Sequence, residues 1–88
     1  MELLEKYRKQ IDEVDRKIIE YLGKRYKIVK KVGLFKKRKG LKPLDKKRWF
    51  TVLKTRISWG EKNGLPETLI KKIYQAIHQF SLKVEKEI

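Results

Sequence analysis

With 88 residues the chain has room for one domain and a single small core. Its 25 Lys and Arg against 11 Asp and Glu give a formal net charge of +14, too lopsided for balanced ion pairing, which implies an anionic partner: a polymer, a membrane or a small acid. Cysteine is absent, excluding disulfides and thiolate metal sites, and the charged start "MELLEKYRKQIDEVDRK" predicts neither a signal peptide nor a membrane span there. A cytoplasmic protein with no appended domain is expected, and the Lys-rich, Asn- and Gln-poor composition resembles that of heat-loving organisms.

From Glu2 to about Lys37 no proline occurs, and Leu4, Tyr7, Ile11, Val14, Ile18, Leu22, Ile28, Val29, Val32 and Phe35 recur at spacings of three and four. This predicts one long amphipathic helix. Gly23 and Gly33 lie inside it, each at a cost of about 1 kcal/mol relative to Ala, and mark either a weak point or close packing. "RKGLKP", residues 38 to 43, reads as a loop. A second helix is predicted from the N-cap Asp45 to Trp59, with Phe50, Val52, Leu53 and Ile57 as its apolar side, and "GEKNG", residues 60 to 64, as its break. The third runs from Pro66, suited to a first turn, to the C-terminus, with Leu69, Ile70, Ile73, Tyr74, Ile77, Val84 and Ile88 facing inward. The fold class is therefore all-α: residues 1–88 as one domain of three helices, one long and two shorter.

A helix from Glu2 to Lys37 is ~54 Å long, whereas a compact chain of this size is only ~30 Å across. Two shorter helices cannot cover its whole stripe. A second copy is predicted to cover the rest, giving an intertwined homodimeric bundle.

Arg25 falls on the line drawn by Ile11, Ile18 and Val32 at seven-residue intervals, so a cation occupies the apolar seam. Lys36 lies ~20° around the helix from it and ~16 Å along. Leaning toward the helix N-terminus, Lys36 would reach back over Val29 and Val32 toward Arg25, outlining a cationic slot with an apolar floor. Each residue has a plainer reading, a register-fixing polar residue for Arg25 and a helix-dipole partner for Lys36. Ser81 and Glu85, one turn apart among Ile77, Val84 and Ile88, shift the balance toward a polar site inside a bundle. Arg48 is a weaker candidate. Arg8 is ~25 Å along the helix from Arg25, so it is either an ordinary surface residue or a contributor to a partner's site.

The order "RKQIDEVDRKIIEYLGKR" from Arg8 to Arg25, then "VGLFK" to Lys36, "DKKR" from Asp45 to Arg48 and "SLKVE" from Ser81 to Glu85 resembles the all-α chorismate mutases, whose three-helix chains form intertwined homodimers. The resemblance covers nearly the whole chain. It implies that Arg25, Arg48 and Arg8 of the other chain hold the two carboxylates of chorismate, that Ser81 assists one of them, that Lys36 donates to the ether oxygen, and that Asp45 lies near the ring hydroxyl. Two positions depart from the family pattern. Trp49 stands where many members carry a glutamate that accepts from the ring hydroxyl, and an indole only donates. Glu85 stands where bacterial members carry a glutamine, and a carboxylate must be protonated to donate to the ether oxygen.

The implied [3,3] rearrangement to prephenate needs no cofactor, metal or nucleophile, and none is expected here. The single His78 reads as a packing or surface residue. Two alternatives stay open. The isochorismate pyruvate-lyases of the same fold resemble the chain at "WGEKNGL", residues 59 to 65, and in an apolar residue at position 49. A basic helical nucleic-acid-binding domain would use the charge differently, but no helix-turn-helix is recognisable and Tyr7, Phe35, Phe50 and Tyr74 fall mainly on core faces.

Overall fold

The computed structural model describes residues 2–88. It consists of three helices, α1 Glu2–Lys39, α2 Lys46–Lys62 and α3 Glu67–Lys86, with no strand among the described residues. Glu2 and Glu5 sit in the first turn of α1, and Lys36, Lys37, Arg38 and Lys39 in its last, so charge complements the helix dipole at both ends.

Two glycines set where the helices stop. Gly40 has φ +68°, and the amides of Leu41 and Gly40 return to the carbonyls of Lys36 and Lys37 at 2.8 and 3.3 Å. Gly64 repeats the device at φ +73°, with Leu65 and Gly64 bonded back to Gly60 and Glu61. Both satisfy otherwise orphaned carbonyls through a left-handed residue that only glycine adopts without strain. The second helix therefore runs three residues beyond the predicted Trp59, and only Asn63 and Gly64 of "GEKNG" form the break. Asp45 caps α2 as predicted, its carboxylate accepting from the Arg48 amide at 3.0 Å. Pro66 lies just outside α3, as its N-cap, rather than in the first turn.

The second half of α3 packs on α1, and its first half on α2. Two glycines permit the close approaches. A Cβ on Gly33 would come within 3.2 Å of the Glu85 Cα and 2.8 Å of Ile88 Cδ1, and one on Gly60 within 2.9 Å of Ile70 Cδ1. Gly23 has nothing within 4 Å, so only Gly33 of the two α1 glycines marks packing inside the chain.

Val52, Ile70 and Val84 form the buried core. Several residues predicted to face inward remain open within one chain: Phe50 is 68% exposed, Ile73 42% and Leu69 41%. The reason is reach. The molecule measures 57 × 24 × 15 Å, its long axis that of α1, and the shorter helices cover only part of that length.

Candidate active site

Because α1 and α2 each pack on α3 but not on one another, a trough is left between them. Within it lies a cavity of about 300 Å³, at the small end for a small-molecule site. Ile28, Val29 and Val32 of α1, Val52 of α2 and Leu82 of α3 supply apolar walls. Each polar group on the lining arrives by a helical repeat from its own element.

From α1 come Arg25 and Lys36. The half-buried Arg25 donates from Nη1 to Ser81 Oγ at 2.9 Å. Burial pushes the Arg25 guanidinium below its ordinary value; the Tyr74 hydroxyl opposes this, and the guanidiniums of Arg56 and Arg48 add to it. An arginine so placed is still charged at neutral pH. Among the described residues no carboxylate oxygen lies within 4 Å of Arg25, Arg48 or Arg56.

Lys36 lines the same cavity as Arg25, Val29 and Val32. Its ammonium bonds to the Pro43 carbonyl and sits 2.7 Å from Glu85 Oε1. The glycine-terminated end of α1 brings the Pro43 carbonyl to it, and the close approach at Gly33 brings Glu85. The Lys36–Glu85 contact is close in charge but lacks hydrogen-bond alignment, so Glu85 Oε1 is buried beside a cation with no aligned donor.

Asp45, Arg48 and Trp49 reach the cavity from the start of α2, and Ser81 and Glu85 from α3. One Asp45 oxygen is already committed to the helix cap. Seven of the eight site residues named from sequence thus share one cavity. Arg8 does not: it is exposed near the start of α1 and pairs with Glu5 at 2.9 Å.

Three further polar lining residues were not among the site residues named from sequence: Arg56, Tyr74, expected only to face inward, and His78, expected only to pack or lie at the surface. A signal was there. Trp49, Val52 and Arg56 follow one stripe of α2, and Tyr74, His78, Ser81 and Glu85 one stripe of α3. His78 stacks on Trp49, with ring centroids 3.9 Å apart and an interplanar angle of 11°. Burial pulls the His78 pKa down, Glu85 opposes this, and Arg25 and Lys36 reinforce it.

An apolar trough holding several unneutralised cations suits a small organic polyanion. Comparison with known proteins agrees with the residue pattern: the family model described as chorismate mutase type II matches residues 7–86. The chain belongs to this family. A T-protein of Haemophilus influenzae is 31% identical over 87 residues, covering 99% of this chain but only 23% of that protein, so the chain spans less than a quarter of its relative. No solved structure matches the chain at a significant level. The all-α architecture of this type II chorismate mutase chain is the one its family implies.

Proposed function

We propose that this chain catalyses the rearrangement of chorismate to prephenate, as a homodimer in which each cavity receives Arg8 from the other subunit. The observation that carries this is the convergence of Arg25, Lys36 and Arg48 on one apolar-walled cavity. Fixed guanidiniums hold the two carboxylates of a flexible dianion so that its reacting carbons stay close. The Ser81 hydroxyl, which accepts from Arg25, keeps that guanidinium oriented and offers its own proton to a carboxylate.

As the C–O bond breaks, negative charge grows on the ether oxygen. Lys36 answers it. Two of the directions around its ammonium are taken by Pro43 and Glu85, which position the group and leave a third N–H for the substrate. Glu85, beside Lys36, is the second group placed for the ether oxygen. The Asp45 oxygen not used in the cap takes the ring hydroxyl in place of the missing glutamate.

The open half of α1 supports the dimer. Leu3, Tyr7, Ile11, Val14 and Ile18 are 50 to 61% exposed, a continuous apolar stripe beyond the reach of the other two helices. No described helix is long and apolar enough to cross a membrane. A second copy, bringing Arg8 near the end of the same helix, accounts for the stripe.

Trp49 in the cavity, where many family members place an acceptor, favours one competing reading, pyruvate elimination from isochorismate. Assaying the purified protein for prephenate from chorismate and for pyruvate from isochorismate decides between them. Prephenate formation at the higher kcat/KM is expected. A folded dimer that forms none overturns the proposal.

A further inference from the structure

Arg56 lines the cavity and is only partly bonded inside the chain. Its Nη1 donates to Thr55 Oγ1 at 3.0 Å, while its Nε is fully buried and bonded to nothing. The guanidinium lies over two rings, 4.7 Å from the centroid of Trp59 and 5.9 Å from that of Tyr74. The rings hold the group still. Its Nη2 has no bond within the described residues.

Arg56 lines the same cavity as Arg25, and its charge, with that of Arg48, disfavours the Arg25 cation. Guanidiniums facing one cavity without a carboxylate between them repel, and an anion placed between them removes the repulsion. Lys36 and Glu85 already neutralise each other elsewhere on the lining.

We propose that Arg56 binds the ligand, donating from its unbonded Nη2 to a carboxylate that it shares with Arg25. This deepens the reading of the cavity as a dianion site by adding a guanidinium on α2, two turns beyond Arg48. In the reaction Arg56 acts on binding and orientation; it has no part at the ether oxygen, which lies with Lys36. Its loss therefore raises KM more than it lowers kcat.

The test uses the whole chain and two readouts. In the first, the Arg56 Nε–H resonance is followed by NMR while isophthalate, a rigid dianion, or benzoate, its monoanionic counterpart, is added. A saturating shift with isophthalate, larger than with benzoate, is expected. In the second, Arg56→Met, which keeps the stem against Trp59 and Tyr74, is expected to raise KM for chorismate about tenfold or more, with Arg56→Lys in between.

An Arg56 resonance that stays still while that of Arg25 moves overturns the inference and leaves the site intact. So does an Arg56→Met enzyme with unchanged KM. If isophthalate moves the Arg56 resonance but the protein makes no prephenate, Arg56 binds the dianion and only the chorismate reading fails. Should Arg56→Met fail to fold, the resonance experiment on the unaltered protein decides alone.

Discussion

Lys36 Nζ and Glu85 Oε1 lie 2.7 Å apart at the junction of α1 and α3, and the Pro43 carbonyl holds the same ammonium from the loop. The cation proposed for the ether oxygen is thus braced from two sides. Removing a preorganised donor of this kind costs roughly 2.7–4 kcal/mol in the transition state, so Lys36→Ala should lose about a hundredfold or more in kcat. A loss below about threefold rules out the role. Steady-state kinetics on chorismate measure it.

Glu85→Gln supplies the complementary test. The substitution keeps the shape, gives a permanent N–H donor and removes the negative charge next to Lys36. Wild-type activity is expected to fall as pH rises, and the variant is expected to flatten the profile. A pH–rate curve of the same form in both proteins counts against Glu85 as a donor.

Gly33 is where α1 lets Glu85 in. A methyl there meets the Glu85 Cα at 3.2 Å and Ile88 Cδ1 at 2.8 Å. The backbone contact cannot rotate away. Overpacking of about 1–3 kcal/mol is set against a helix-propensity gain of about 1 kcal/mol. Gly33→Ala should therefore lower the melting temperature or leave it unchanged, while displacing Glu85 enough to cut kcat several-fold. Normal kcat would show that the approach is not needed.

Gly23→Ala reports on the second copy. Within one chain nothing lies within 4 Å of that position, so the alanine should stabilise the helix by about 1 kcal/mol. Against a partner packed on the stripe, it should instead weaken the dimer. Sedimentation equilibrium of the two proteins separates these outcomes, the second being expected.

Arg8 gives a functional measure of the same assembly. Arg8→Ala and Arg25→Ala are each expected to be nearly inactive. Refolded together at equal ratio, they should recover about a quarter of wild-type activity, because half the dimers are mixed and each mixed dimer has one intact site. No recovery would mean that Arg8 does not serve a partner's cavity.

His78 predicts a pH effect on stability. Its pKa is depressed in the fold, mainly by burial, so the unfolded chain binds the proton first as pH drops. The contribution is fully present above the unfolded value of about 6.5 and is lost as pH falls through the lower folded value. Melting curves between pH 8 and 5 should show a larger decline for wild type than for His78→Phe, which keeps a ring on Trp49. Parallel declines would remove His78 as the cause.

Periodicity alone was enough to lay out three helices, the capping of α2 by Asp45 and the excess length of α1, because each depends on neighbours three or four residues away along one chain. Arg25 was visible for the same reason, as a cation on an apolar line. The second helix ran past its predicted end because Gly60, which reads locally as a breaker, is held in the helix against Ile70. Where Lys36 points, what Arg56 faces and how His78 meets Trp49 were decided only when α1 and α2 closed on α3. A long flexible side chain has several allowed directions on its own helix, and partners from other helices select among them.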